Sequence, residues 1–457
     1  MNMVHQSFLD DLHKDAERLL ENYTIYDQYY NGDHDVTKSI PPKVLASLTS
    51  ELGTIVNYCP LVVNSAVDYI MGGGVNLEAA DKIAEEALLE IYEKNGLLDE
   101  EMMKTGTIMG KKGDVYLKLF VTDDSEIKVR VLRPEIVFPR YATDDYMELR
   151  YVAIKWFEDA DDFIEGDAGR WHAQVFRPDV IDFYVLEADQ DTEATQWTHV
   201  ASENNPLGFI PIVHIKNTID DLEFGVSDLQ VMTDLQDALN KTVTDMLLTM
   251  DQTAFQRGVI FGAQSPDGDQ LAMEPGAWIE YANSDGEVTV IEPGDITAFL
   301  DAIDSIVEQI ATVTNLPNLV TSKSGAAPES GFALRTRLMP LEMKADRKIV
   351  VLKRRFAELN QMIFKTMELL GQGNFIGTKT EILFKNGLPI DAEAQDATHE
   401  MELTNHIKSR RTVMKERGIE DPEEELANIE GDDVLFLEPQ PPHVHADEVP
   451  TAPGGQQ

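Results

Sequence analysis

The chain has 457 residues and a formal net charge of −44, because Asp and Glu number 82 and Lys and Arg only 38. Its hydrophobic content of 43% is enough for a core, and at about 150 residues per domain the length predicts two to four domains. The single cysteine, Cys59, excludes an intrachain disulfide framework and a thiolate metal cluster. No uninterrupted apolar run reaches the ~18 residues of a transmembrane helix. The first residues lack a basic segment followed by an apolar one, so we expect no secretory signal.

The first hundred residues are predicted to be helical. A cluster of tyrosines from Tyr23 to Tyr30 ends at the turn signal Asn31-Gly32. An apolar segment over 55–71 is predicted to stop at Gly72 to Gly74. A further helical pattern covers 79–110. The residues expected to face inward there are Ile83, Ala87, Leu88, Ile91 and Leu98.

From residue 113 to about 216 the period changes from helical spacing to alternation. Val115, Leu117 and Leu119 alternate with other residues, and four later segments repeat the pattern between Asp, Gly, Pro and Asn turns. This pattern predicts an antiparallel β-rich region.

Two apolar helical stripes then flank a turn-rich insert at 257–294. The first stripe runs from Leu229 to Met250 and the second from Phe299 to Val313, with residues three or four apart in each. We expect the two helices to pair, with the insert as a small β-containing module at their tip.

A loop of small and polar residues at 316–331 is followed by a long helical pattern over about 332–370, which Pro340 should kink. A short strand, Thr380 to Phe384, and polar helices over 392–430 with a break at Gly418 come next. The Pro/Gly-rich tail from Pro439 is expected to be disordered.

No enzyme constellation is evident. Gly106 to Lys112 resembles a phosphate loop, but only three residues separate its glycines and Lys112 stands at the hydroxyl position, so a turn before a strand is predicted instead. The ten histidines are scattered, and His443 and His445 lie in the tail without partners. We therefore expect no catalytic residue, no metal and no cofactor.

A local reversal of charge stands out between Arg335 and Arg355. Eight basic residues face only two acidic ones there. The basic residues are Arg335, Arg337, Lys344, Arg347, Lys348, Lys353, Arg354 and Arg355. The pattern is compatible with a solvated face that pairs with carboxylates. The alternative is a patch that meets a polyanion or a neighbouring subunit.

Taken in order, six segments resemble the portal proteins of tailed bacteriophages of the siphophage type, from about residue 20 to 430. They are YDQYYNGDH at 26–34, NYCPLVVNSAVDYIMGGGV at 57–75, IPIVHIKNT at 210–218, FGVSDLQVMTDLQDALNKTVTD at 224–245, SGFALRTRLMPLEMKADRK at 330–348 and KERGIEDPEEELANIEGDD at 415–433. Each segment alone is weak, and it is their order and spacing that carry the resemblance.

The resemblance implies an α+β portal fold. Its parts would be N-terminal helices and a β-rich wing (1–224), stem helices (225–255 and 295–315), a small β-containing clip (256–294), a tunnel loop (316–331), a long kinked tunnel helix with a wing return strand (332–391), an α-helical crown (392–438) and a disordered tail (439–457). The insert and the crown are shorter than in large portals.

It also implies a ring, usually dodecameric, at one capsid vertex of the virion, assembled in the host cytoplasm. The ring would conduct double-stranded DNA during packaging and ejection. Its partners would be the terminase large subunit, a head-completion or adaptor protein, and the major capsid and scaffolding proteins, with no membrane. The alternatives are a phosphate-handling packaging ATPase or nuclease, and an acidic scaffolding or adaptor protein. An acidic wall would let DNA slide because it releases few counterions, although a saline habitat would also select acidity.

Candidate site residues follow from this resemblance. Those proposed for the DNA tunnel are Lys323, Ser322, Ser324, Arg335 and Arg337. Lys344, Arg347 and Lys348 are assigned to an interface or the tunnel. Trp278, Tyr281, Asp267 and Asp269 are candidates for partner binding at the clip. The stem is expected to pack through Leu239, Val243, Met246, Ile303, Ile306 and Ile310.

Overall fold

The structure is a computed structural model that describes most of the chain between residues 20 and 429. The described ranges are 20–39, 55–142, 148–159, 169–187, 197–219, 222–254, 258–261, 279–281, 288–290, 296–317, 331–385, 392–417, 419, 422–423 and 425–429. The chain divides into two compact units, one before and one after residue 387. The predicted tail at 439–457 and residues 318–330 of the predicted 316–331 loop lie outside these ranges.

Nine α-helices, the two 3₁₀ helices Val36–Ser39 and Pro134–Ile136, and thirteen strands have defined bounds within the described residues. The helices are α1 (20–31), α2 (Cys59–Met71), α3 (Lys82–Lys94), α4 (Glu100–Lys112), α5 (Thr233–Ala254), α6 (Thr297–Thr314), α7 (Gly331–Leu369), α8 (Ala392–Thr404) and α9 (Arg410–Glu416). The strands are β1 (Val75–Ala79), β2 (Asp114–Val121), β3 (Ile127–Leu132), β4 (Val137–Tyr141), β5 (Leu149–Glu158), β6 (Arg170–Phe176), β7 (Val180–Glu187), β8 (Thr198–Asn204), β9 (Ile212–Lys216), β10 (Gly258–Phe261), β11 (Ile279–Tyr281), β12 (Val288–Val290) and β13 (Thr380–Phe384). None of the described helices is long and apolar enough to cross a membrane.

The predicted helix stop after α2 is confirmed. Pro60 occupies the first turn of the helix, where its missing N–H costs nothing. Asn57 Oδ1 accepts a hydrogen bond of 3.0 Å from the Cys59 backbone N–H. At the other end Gly72 caps the helix and Gly74 adopts a positive φ of 90°, which a residue without Cβ adopts readily.

Two predictions made from the sequence for α3 and α4 are wrong. Ile83 was expected to face inward but is 66% exposed, because the buried stripe of α3 is Ala84, Leu88 and Tyr92, four residues apart. Gly106 and Gly110 were expected in a turn but lie inside α4. A Cβ on either glycine would come within 3.0–3.2 Å of α2 side chains. The glycines therefore serve close packing of the two helices.

The predicted antiparallel β region is confirmed as two sheets. The strand orders are β3-β2-β9 and β4-β5-β6-β7-β8, and every neighbouring pair is antiparallel. The sheets share a hydrophobic cluster to which Tyr116 and Ile212 contribute from the first sheet and Val152, Ile154 and Phe176 from the second. Strand β2 is buried on both faces over its first four residues, so it lies at the centre of the fold.

The predicted helix pair is also confirmed. Helices α5 and α6 share one cluster with α1, α2 and the segment before α5. Between them in the chain, β10, β11 and β12 form a three-stranded sheet in which β10 pairs parallel to β11 and antiparallel to β12.

Helix α7 is one 39-residue helix that contains Pro340. Its inward face carries Ala345, Leu352, Phe356, Leu359 and Ile363, all fully or almost fully buried. The strand predicted after it, β13, pairs antiparallel with β1. The second unit contains α8, α9 and further helical residues at 422–423 and 425–429.

Candidate functional site at the junction of sheets and helices

The C-terminal end of α4 is covered by the loop that precedes α5. The last carbonyls of a helix have no partner within the helix, and here other segments supply the donors. The Asp228 backbone N–H donates to Gly110 O at 2.9 Å and the Ser227 hydroxyl to Lys111 O at 2.5 Å. The Asn217 backbone N–H donates to Gly113 O at 2.7 Å. The loop, the end of β9 and α4 are thereby joined.

Two glycines make this contact sterically feasible. Gly113 has a φ of 90°, and a Cβ there would lie 2.6 Å from the Gly225 carbonyl oxygen. A Cβ on Gly225 would lie only 2.0 Å from the Gly113 oxygen. Real Cβ atoms do not approach backbone oxygen this closely, so both positions require glycine.

Asp228 is the charged centre of the junction. Its side chain is 8% exposed and lies 2.7 Å from the Lys348 ammonium and 3.3 Å from the Lys344 ammonium, both on α7. The Asn217 amide donates to Asp228 Oδ1 at 3.1 Å, and its oxygen accepts from Lys348. Burial alone would raise the pKa of Asp228, but the two lysines lower it below its usual value. Burial lowers the pKa of Lys348.

A second buried carboxylate, Asp114, begins β2. It is fully buried and accepts hydrogen bonds from the Gly225 backbone N–H at 2.7 Å, from His214 Nε2 at 2.7 Å and from the Tyr23 hydroxyl at 2.9 Å. Tyr141 bonds the other ring nitrogen of His214. An ionised carboxylate only accepts, so His214 donates through Nε2, and in the neutral imidazole Nδ1 is then the acceptor for the Tyr141 hydroxyl. Burial and the Asp114 charge raise the pKa of Tyr23 well above its usual range.

A third ion-pair cluster ties α1 to the end of α4. Asp27 lies 2.6 Å from the Lys111 ammonium and 2.7 Å from that of Lys112. Lys112 is 3% exposed and also pairs with Glu135. Although partial burial opposes it, the two lysines lower the pKa of Asp27. Beside this cluster lies an open cavity of about 600 Å³ between α1, β4 and residues 222–230.

These three clusters consist of hydrogen-bonded charges that hold segments distant in sequence. None of them has the open coordination position or the exposed nucleophile that chemistry on a substrate requires. We therefore interpret the junction as a mechanical joint that fixes α5 and α7 to the sheets.

The structure divides the predicted basic island. The ammonium groups of Lys344 and Lys348 turn inward onto Asp228, and Lys348 is 4% exposed. For Lys348 this burial contradicts a place in the tunnel or on an interface, since water and DNA cannot reach it. Arg347 and Arg337 are exposed on α7. Arg335 lies in the first turns of that helix.

Other predicted site residues lie outside the described part of the chain. These are Ser322, Lys323 and Ser324 in the loop and Asp267, Asp269 and Trp278 in the insert. Tyr281 is the last residue of β11.

The structure describes all six residues that were expected to pack the helix pair. Leu239, Val243 and Ile310 are buried in the shared cluster, and Ile303 and Ile306 pack against it half-buried. Met246 is half-buried.

One group in the second unit has metal-ligand chemistry. His399, Glu402 and Glu416 each place one ligand atom within 4.8 Å of the others. The only sequence signal for this group is the three-residue spacing of His399 and Glu402, which is common in an acidic chain.

Comparison with known proteins identifies the class of this α+β scaffold. Residues 9–433 match the family described as "Phage portal protein, SPP1 Gp6-like", and the chain belongs to that family. The resemblance seen in the sequence is thereby confirmed.

Individual relatives are distant. The portal protein of Mycobacterium phage D29 is 22% identical over 184 residues, which is 38% of this chain and 38% of that protein. The portal protein of Mycobacterium phage L5 is 23% identical over 190 residues, or 39% of this chain and 38% of that protein. The chain thus matches well under half the length of these curated relatives. A solved chain titled "Neck of native GTA particle computed with C12 symmetry" is 13% identical and has a TM-score of 0.41, with 78% of this chain and 86% of that chain covered.

Proposed function

We propose that the protein forms a ring at one capsid vertex, through which double-stranded DNA passes during packaging and ejection. The observation that carries this proposal is the family match over residues 9–433. The protein would itself be non-catalytic. A packaging motor (the terminase large subunit), a head-completion or adaptor protein, and the major capsid and scaffolding proteins would contact the ring.

The parts of the fold receive roles in this proposal. Helices α5 and α6 form the stem, the β10–β12 sheet belongs to the clip, and residues 316–331 form the tunnel loop before α7. The two large sheets belong to the wing, and residues 392–438 form the crown. The ion-pair junction supports this assignment, because a ring that resists the force of a packaging motor requires stem and long helix to be fixed to the wing.

The charge of −44 supports a sliding rather than a holding contact with DNA. Tight DNA binding requires many Lys and Arg residues that release counterions from phosphates. In this proposal Lys323, flanked by Ser322 and Ser324, supplies a sparse positive charge from the tunnel loop, and Arg335 and Arg337 support it from α7. Lys323→Glu should leave ring assembly intact and reduce the DNA packaged per capsid.

The decisive experiment is negative-stain electron microscopy of the purified protein. We expect rings with a central channel.

Ile306→Asp places a charge against the α5–α6 cluster, which should cost several kcal/mol and replace rings by monomers or aggregates. Asp304→Asn, on the exposed side of the same helix, is the matched control and should form rings. Compact monomers of the wild type would overturn the proposal.

The clip role has a separate test. Trp278 and Tyr281, with Asp267 and Asp269, are proposed to anchor a motor or adaptor protein, since aromatic residues dominate interface energies. Trp278→Ala should weaken partner binding to intact rings. Unchanged binding would assign Trp278 to the core of the insert instead.

A further inference from the structure

Three potential metal ligands converge in the second unit. His399 and Glu402 are three residues apart on α8, so they share one face of that helix, and Glu416 is the last residue of α9. One ligand atom of each lies within 4.8 Å of the other two. His399 Nε2 lies 3.3 Å from Glu416 Oε2. Two ligands on a tetrahedral zinc ion, with bonds of about 2.0–2.2 Å, are about 3.3–3.6 Å apart.

The buried imidazole distinguishes this group from the many carboxylate pairs of an acidic chain. The His399 side chain is 6% exposed and is directed at Glu416. Its Nδ1 atom is buried without a hydrogen-bond partner among the described residues. Among the described residues the imidazole therefore meets only the carboxylates of this group, and an imidazole nitrogen is the commonest protein ligand of transition-metal ions.

The Lys408 ammonium already pairs with the carboxylates of Glu402 and Glu416. The Lys408 ammonium lies 3.1 Å from Glu402 Oε2 and 2.9 Å from Glu416 Oε2. The Lys408 side chain is 31% exposed and flexible, so it can leave toward solvent without disturbing a core. Lys408 and a metal ion would compete for the same oxygens.

We propose that His399, Glu402 and Glu416 form a binding site for a divalent transition-metal ion of the zinc class, in competition with the Lys408 ammonium. One imidazole and two carboxylates leave a fourth, tetrahedral position for water. The nitrogen ligand favours zinc or a related ion over Mg²⁺ and Ca²⁺, which prefer oxygen ligands throughout. Metal binding here would fasten α8 to α9, an effect that goes beyond the DNA conduit and is independent of it.

The test measures zinc binding to the full-length protein by competition with a colorimetric chelator, with Mg²⁺ in excess. The other nine histidines provide background zinc binding, so differences between variants are the observable. Glu402→Gln keeps the shape of the side chain and His399→Ala removes the nitrogen ligand. Each should weaken the binding of about one zinc ion per chain by tenfold or more. His406→Asn is the matched control, because His406 is an exposed histidine with positive φ in the same unit, and it should bind zinc as the wild type does.

Lys408→Met separates a metal site from a purely structural ion-pair network. Removal of the competing ammonium should raise zinc affinity by roughly tenfold, the amount that two exposed ion pairs are worth. Zinc should then raise the melting temperature of Lys408→Met more than that of the wild type. The proposal is overturned if Lys408→Met binds zinc no more tightly than the wild type. It is equally overturned if folded Glu402→Gln and His399→Ala bind zinc as the wild type does.

Discussion

Two lysines on the same helix, five residues apart, show how burial changes the value of an ion pair. Lys348 lies 2.7 Å from Asp228 and Lys353 lies 2.6 Å from Glu381. The first pair is about 5% and 8% exposed, and the second is 37% and 57% exposed. The two pairs have the same chemistry and almost the same distance, so they differ mainly in access to water.

The comparison teaches that the number of ion pairs is a poor guide to what holds this fold together. Around Lys353, water can replace either partner, and the pair is screened by salt. Around the Asp228 carboxylate, the Asn217 amide and the Lys344 ammonium take the positions that water would otherwise fill, so burial keeps water from replacing Lys348. The loss of one partner there leaves a buried charge, which is the costly event.

The largest expected effect is that of Lys348→Met. It should lower the free energy of unfolding by about 3 kcal/mol, the lower end of the range for a broken buried pair, because Lys344 remains 3.3 Å from Asp228. Urea denaturation followed by circular dichroism measures it. The double variant Lys348→Met, Asp228→Asn should recover part of the loss, since the unpaired charge is gone. A single variant as stable as the wild type would show that Asp228 is solvated.

Tyr23→Phe should have the next largest effect. The phenol donates to the buried, charged Asp114, and the loss of such a bond costs about 1.5–3 kcal/mol. Tyr30→Phe is the matched control on the same helix, because Tyr30 donates at 3.0 Å to the neutral Asn64 in a half-buried position. Its cost should be about 1 kcal/mol. Equal melting temperatures for the two variants would contradict the ranking.

Alkaline pH should lower the free energy of unfolding through the buried tyrosines. Burial and Asp114 raise the pKa of Tyr23 in the folded state, and burial raises those of Tyr116 and Tyr141. A raised pKa gives stability that is complete below the unfolded pKa of about 10 and is lost as pH rises above it. Each such tyrosine should cost about 1.4 kcal/mol per pH unit above 10. The free energy of unfolding of Tyr23→Phe, measured by urea denaturation between pH 9 and pH 11, should decrease less steeply with pH than that of the wild type. Parallel curves would contradict this assignment.

Lys353→Met should have the smallest effect. The pair with Glu381 is largely exposed, so its loss should cost about 0–1 kcal/mol. That difference should shrink further when the salt concentration is raised from 0.05 M to 1 M, whereas the cost of Lys348→Met should persist. A cost for Lys353→Met that equals that of Lys348→Met would remove burial as the explanation.

Local periodicity made much of the fold predictable. The stripes of α5 and α6, the length of α7 and the alternation of β2, β3, β5, β6 and β7 could be predicted, because a helix or a half-buried strand repeats its apolar positions at a fixed interval. Strands β4, β8 and β9 were not singled out by alternation. The predictions failed where spacing alone does not decide orientation. Ile83 fitted a helical stripe but lies one residue beside the buried one. Gly106 and Gly110 were predicted to lie in a turn. Their role is close contact with α2, whose residues lie about forty positions earlier in the chain, and local spacing does not show such a contact.

The sequence by itself determined the classes of element, their order and the family resemblance, since these depend on residues close together along the chain. Only the tertiary structure decided which charges are buried. Asp114 and Asp228 look like any of the 82 acidic residues in the sequence, yet Asp114 meets Tyr23 and His214 across 91 and 100 positions. Asp228 likewise meets Lys348 across 120 positions. The physical reason is that the desolvation of a charge depends on every segment packed around it, and no local pattern encodes that environment.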